Sequence, residues 1–179
     1  MEAVFPRVET ERLVLRRVTQ EDADDVFAFL SDPEVMEYYG NDPFPREKVP
    51  TTIQNYDSMF EDKRGIRFGI EEKATGRIIG TCGLQFWDHR DRCAELVYIL
   101  RKDSWSQGVM TEALGALIQY GFEQMDLYRV QAKIEVPNIG SHRVVEKVGL
   151  KREGVLRGAA YTFGEFRDLV IYGKLRTDE

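Results

Sequence analysis

The stretch Tyr98-Ile-Leu-Arg-Lys-Asp-Ser-Trp-Ser-Gln-Gly-Val-Met-Thr-Glu-Ala-Leu114 decides the fold. It reads as the end of an apolar strand, a short turn with one glycine, and the start of an amphipathic helix. A strand that feeds a helix this way leaves the helix's first N–H groups unpaired, at the positive end of its dipole. That makes a ready anion site, suited to a phosphate or pyrophosphate. One glycine at such a junction is common, so the turn alone does not carry the reading.

A second strand–helix unit follows at Tyr128-Arg-Val-Gln-Ala-Lys-Ile-Glu-Val-Pro-Asn-Ile-Gly-Ser-His-Arg-Val-Val-Glu-Lys-Val-Gly149. It predicts a strand over Arg129–Val136, an Asn just past its end, and a helix over about Ile139–Val148. Upstream, Leu13–Val18 predicts a strand, and Thr19 an N-cap with Asp22 three residues on. The helix after it has its apolar face at Ala23, Val26, Phe27 and Leu30, and Pro33 is expected to end it. Tyr38–Pro50, with three prolines, reads as an aromatic-rich loop before a helix over Thr51–Glu61. Gly65–Glu72 and Arg77–Phe86 alternate around Ala74-Thr-Gly76, a hairpin signal. Cys93–Leu100 is the next strand, then the helix Gly108–Gln124, and two strands part at Phe163-Gly-Glu165 to close the chain. The order β-α-α-β-β-β-α-β-α-β-β suits a mixed sheet with helices on both faces.

Composition sets the outer bounds. With 179 residues the chain is long enough for one domain, 1–179, with a full core. Its net charge of −6 argues against non-specific binding to nucleic acid or anionic membrane, both of which need a basic surface. No apolar stretch reaches membrane-spanning length, and the N-terminus lacks a signal-peptide pattern. Cys82 and Cys93 are too few for a disulfide framework and lack metal-ligand spacing, so they read as reduced strand residues of a cytoplasmic protein. His89 and His142 have no acidic or Cys cluster near them in sequence, and no metal is expected.

The two strand–helix segments, in this order and about this far apart, resemble the GCN5-related N-acetyltransferase superfamily, and within it the Rim-type branch. Glu9-Thr-Glu-Arg-Leu-Val-Leu-Arg-Arg17 is similar to that branch's opening strand, and Gly164-Glu-Phe-Arg-Asp-Leu-Val-Ile-Tyr172 to its closing one. The resemblance covers most of the chain. It implies a mixed α/β fold with a largely antiparallel central sheet. It also implies transfer of an acetyl group from acetyl-CoA to a primary amine, on a small molecule, peptide or protein N-terminus. The amine would attack directly in a ternary complex. Neither cysteine lies in the motifs, so nothing marks a covalent nucleophile. A non-catalytic CoA-binding or regulatory module on the same fold is the rival, and a homodimer is left open.

Site residues follow from both arguments. The N–H groups across Ser106, Gln107, Gly108, Val109, Met110 and Thr111 would take the CoA pyrophosphate, with Gly108 allowing close approach. Trp105 and Met110 stand at the outer positions of the pattern, as is common in the Rim-type branch, and Ser106 replaces a frequent glycine. The resemblance implies that the backbone of Val97, Tyr98 and Ile99 pairs with the pantetheine amides as an added strand would. Asn138 can both donate and accept, for the pantetheine or as a helix N-cap. Ser141 shares a helical face with Val145 and Val148 and so points inward. The resemblance implies that it contacts the CoA sulfur or protonates the thiolate, in place of a Tyr one turn later, where Val144 and Val145 stand.

For the general base, Ala160 occupies the place where some Rim-type members carry a Glu. Glu95 then becomes the candidate. It shares a strand face with Val97 and Ile99, and a carboxylate desolvated there suits the acceptance of a proton near neutral pH. The alternative is a structural, salt-bridged Glu95. Glu72, His89 and Glu165 are the reserves, while Asp168 and Tyr172 read as architectural or close to the acceptor.

Overall fold

Leu13, Val14 and Leu15 are buried in succession, so the strand they form has both faces covered. The computed structural model describes residues 4–178. This strand, β2 (Leu13–Arg16), follows a two-residue β1 (Val8–Glu9) that the sequence did not signal. Thr19 and Asp22 form the expected capping box, with the Thr19 N–H donating to Asp22 Oδ2 at 2.8 Å. One 3₁₀ turn then leads into α1 (Ala23–Leu30).

Pro33 does not simply stop a helix; it starts the next one. The Asp32 carboxylate accepts from the N–H groups of Glu34 (2.9 Å) and Val35 (3.4 Å), and α2 (Pro33–Tyr39) begins. Proline suits that first position because its missing N–H has no partner there in any case. The expected loop is therefore half helix, and Tyr38 and Tyr39 sit on ordered backbone. Pro50 likewise falls in the first turn of α3 (Val49–Glu61), two residues earlier than the reading placed its start.

The rest follows the expected order. Strands β3 (Ile66–Glu72), β4 (Arg77–Asp88) and β5 (Cys93–Leu100) form a meander, then come α4 (Val109–Glu123), β6 (Arg129–Glu135), α5 (Ile139–Lys147), β7 (Lys151–Thr162) and β8 (Glu165–Leu175). The sheet order is β1-β2-β3-β4-β5-β6-β8-β7. All neighbours are antiparallel except β5 and β6, which run parallel. One apolar core, with Ala113, Leu114 and Leu117 of α4, lies on one face of the sheet. A second, built from Val26, Phe29, Met36 and Ile53, covers the other under α1 to α3. No helix is long and apolar enough to cross a membrane among the described residues.

Candidate active site

Strands β5 and β6 pair only at Cys93↔Arg129, Ala94↔Val130 and Glu95↔Gln131. Beyond Glu95 they part, and the β5 edge that faces β6 has no ladder partner among the described residues. A cleft of about 560 Å³ opens there. Its walls are Tyr98, Ile99 and Leu100 of β5, the turn into α4, the cap Asn138 with Ser141, Arg143, Val144 and Lys147 of α5, and Tyr38 and Tyr39 of α2.

The turn into α4 is set by two left-handed residues, Ser106 (φ 58°) and Gly108 (φ 75°). Glu112 is the first helical residue whose N–H reaches back, to Gly108 O at 3.0 Å. The N–H groups of Val109, Met110 and Thr111 therefore have no carbonyl in their own helix. Ser106, Gly108, Val109, Met110 and Thr111 all line the cleft. Gln107 does not: its Nε2 donates to Asp103 O (2.7 Å) and its carbonyl accepts from Arg12 Nη1 (2.9 Å). Its side chain braces the turn. A Cβ at Gly108 would meet only Arg12 Nη2, at 3.5 Å, so within the protein itself the positive φ is what favours glycine there.

On the opposite wall, Asn138 caps α5 with Oδ1, accepting from the Ser141 N–H at 3.1 Å, while Nδ2 donates to Tyr38 O at 3.4 Å. The cap and a donor at the cleft thus coexist in one side chain. Ser141 lines the cleft and faces the Tyr98 hydroxyl. That phenol is buried, without a well-formed hydrogen bond among the described residues, and burial pushes it up to about 12. Arg143 and Lys147, one turn apart on α5, also line the cleft and give it positive charge. The sequence reading missed both; their signal was the i, i+4 basic pair that follows Asn138.

Val97 and Glu95 do not line the cleft. The Val97 side chain shares its face with Arg67 and Gly83, across the β3–β4–β5 ladder. Glu95 is paired with Lys133, Nζ to Oε2 at 2.8 Å, rather than standing alone on an apolar face. The reserves lie elsewhere. Glu72 accepts from Thr75 Oγ1 in the β3–β4 turn. His89 stacks on Trp87 (4.0 Å), and Glu165 sits exposed at the β7–β8 turn. Asp168 accepts from the Gly158 N–H (2.8 Å), an architectural bond within the final hairpin.

Two further clusters were invisible in sequence. His142 Nε2 faces the carbonyls of Glu135 (3.2 Å) and Val136 (3.1 Å) and so carries the hydrogen. Its Nδ1 lies 2.9 Å from the Tyr172 hydroxyl, which reaches Glu146 Oε1 at 3.2 Å. These bonds fasten α5 to β6 and β8 behind Ser141. On the other face Arg67 is 1% exposed. It donates to Thr81 Oγ1 and to the Tyr39 hydroxyl, both at 3.0 Å, and packs on the Tyr39 and Tyr56 rings. Gly83 makes room for it: a Cβ there would meet Ile66 O at 2.4 Å and Arg67 Cδ at 2.9 Å.

With this geometry described, comparison with known proteins is direct. The family model described as Acetyltransferase (GNAT) domain matches residues 12–151. The N-acetyltransferase YoaA of Bacillus subtilis, itself uncharacterized, is 36% identical over 177 residues, covering 98% of this chain and 100% of its own. The spermidine N(1)-acetyltransferase of Escherichia coli is 26% identical over 156 residues, covering 87% of this chain and 82% of its own. A GNAT-family acetyltransferase from Bacillus anthracis superposes with a TM-score of 0.87 at 24% identity, over 97% of this chain and 100% of that one. A β5–β6 fork beside a helix start with unpaired N–H groups, within a sequence that matches this family along most of its length, leads to one conclusion: the chain belongs to the GNAT acetyltransferase family and is an N-acetyltransferase.

Proposed function

We propose that the cleft binds acetyl-CoA and that the acetyl group passes to a primary amine by direct attack in a ternary complex. The observation that carries this reading is the fork between β5 and β6 beside the start of α4. The N–H groups of Val109, Met110 and Thr111 suit a pyrophosphate, and the charges of Arg143 and Lys147 suit the remaining phosphate. The open edge of β5, around Val97–Ile99, suits the peptide-like amides of the pantetheine arm, with Asn138 Nδ2 opposite. Ser141, which lines the cleft, is the proposed donor to the leaving sulfur. Glu95, through a water, is the proposed base, with Lys133 holding its orientation.

The proposed acceptor is a primary amine on a cationic carrier: a peptide α-amine with basic residues behind it, as in the Rim-type branch, or a polyamine. The net charge of −6 supports this, because an acidic protein steers cations over about one Debye length, near 8 Å at physiological salt. The two free cysteines fit a reducing, cytoplasmic setting. Free-thiol release should be followed with acetyl-CoA and a panel of basic N-terminal peptides, polyamines and amino sugars. At least one basic peptide or polyamine should be acetylated, with kcat/KM falling as salt rises. Turnover only of neutral or anionic amines, insensitive to salt, would overturn the acceptor class and leave the transferase reading standing.

A further inference from the structure

The Tyr98 side chain has no place in the account so far, which uses only its backbone. Its ring comes from β5 and lines the same cleft as Ser141 of α5, so the two residues face one another across the fork. The hydroxyl is sealed from solvent and has no well-formed hydrogen bond among the described residues. A buried hydroxyl left so is a cost to the free protein, and phenylalanine would fill the same space without it. The Ser141 N–H is already committed to Asn138 Oδ1, which fixes the serine backbone and leaves its hydroxyl to turn.

We infer that Tyr98 is a positioning residue for the transfer step: its O–H donates to Ser141 Oγ and so turns the serine hydrogen toward the thioester sulfur. The inference rests on Ser141 serving the leaving sulfur. During transfer the amine nitrogen bonds to the acetyl carbon, the C–S bond breaks, and its electron pair goes to sulfur. Ser141 gives its hydrogen to that sulfur and is later restored from solvent, while the proton that the acetylated nitrogen gives up goes through the water to Glu95 and from there to solvent. Tyr98 stabilises the serine oxygen while it is short of a proton, and keeps its own. A phenol pushed up to about 12 by burial is suited to that role and not to full proton transfer. Because the hydroxyl is sealed off, it acts through Ser141 and does not touch substrate in the free enzyme's geometry.

The test is single-turnover acetyl transfer by Tyr98→Phe, Ser141→Ala and the double variant, with CoA affinity by calorimetry and melting temperature alongside. Tyr98→Phe should slow transfer by about ten- to a hundredfold, at the lower end of what proton-handling groups contribute. Its CoA affinity should stay within about twofold, and its melting temperature should not fall, since the hydroxyl has no well-formed bond to lose before the cofactor binds. The double variant should be no slower than the slower single one, as expected for residues acting as a unit. A Tyr98→Phe enzyme with the wild-type rate overturns the inference, as does a double variant whose two defects multiply. Weakened CoA binding at an unchanged rate would make the hydroxyl a binding contact and overturn it too. A silent Ser141→Ala beside a slow Tyr98→Phe would remove Ser141 from the leaving-group role, and the relay with it.

Discussion

Arg12 holds Glu112 twice, from its backbone N–H to Oε1 at 2.8 Å and from Nε to Oε2 at 2.7 Å, across a hundred residues of sequence. Thr10 Oγ1 adds a third bond to the same carboxylate at 2.6 Å. The start of β2 is thereby tied to the first turn of α4, and Arg12 Nη1 reaches on to Gln107 O in the turn that leads into that helix. The bulge of free N–H groups is thus braced from outside the motif that contains it.

Glu112 should make stability depend on acid. Burial alone would raise its carboxyl, but Thr10 and Arg12 outweigh that and hold it below its ordinary value of 4.5. A depressed carboxyl stabilises the fold above the unfolded-state value and loses that contribution as pH falls through the lower folded one. Urea midpoints should therefore show Glu112→Gln less stable than wild type at pH 7. The gap should close as pH drops below about 4.5. A gap that persists unchanged at pH 3 would mean the carboxylate charge is not what the clamp uses.

The two left-handed residues of the turn should respond in opposite ways. Gly108→Ala should cost about 1 kcal/mol, because a Cβ at φ 75° is strained even where there is space for it. It should raise the KM for acetyl-CoA more than the KM for the amine. Ser106→Gly, at φ 58°, removes the same strain and should be neutral to stabilising by denaturant unfolding. Equal KM effects on both substrates in Gly108→Ala would reduce the glycine to a turn residue.

Charge on α5 should be felt by the cofactor phosphates alone. Arg143→Ala and Lys147→Ala should each weaken CoA by roughly tenfold, the size of one charge-assisted hydrogen bond. Pantetheine, which has no phosphate at these positions, should bind the variants and the wild type alike in calorimetry. A parallel loss for pantetheine would place these side chains in the fold of α5 rather than on the phosphates.

Glu95→Gln should lower kcat most at low pH and recover partly as pH rises, because the amine then sheds its own proton. Lys133→Met, which leaves the carboxylate but removes its 2.8 Å partner, should lower kcat through lost orientation without abolishing activity. An unchanged profile in Glu95→Gln would remove it as the base.

What the sequence made legible followed from local physics. The strand–turn–helix at Tyr98–Leu114 and the capping box at Thr19 are set by neighbours in the chain, and both stand where they were read. Asn138 and Ser141 were found through their places in a motif, and both line the cleft. The failures are where distant segments decide. Pro33 was read as a terminator, but an Asp before a proline is also a helix start, and Asp32 uses it so. Arg67 alternates like any strand residue; nothing local says that Tyr39 and Tyr56 will cover it. Glu95 was read by its face with a salt bridge as the alternative, and the partner, Lys133, could not be named because it lies on a strand that joins Glu95 only in the fold. His142 lacked partners in sequence because Tyr172 comes from the last strand.

The most direct measurement is a calorimetric titration of the protein with acetyl-CoA, CoA and pantetheine. If the cleft is a CoA site, both CoA species should bind at micromolar concentration, roughly −7 to −8 kcal/mol. Pantetheine, without the pyrophosphate proposed to sit at the start of α4, should bind far more weakly. No detectable heat at millimolar CoA, or equal affinity for CoA and pantetheine, would contradict it.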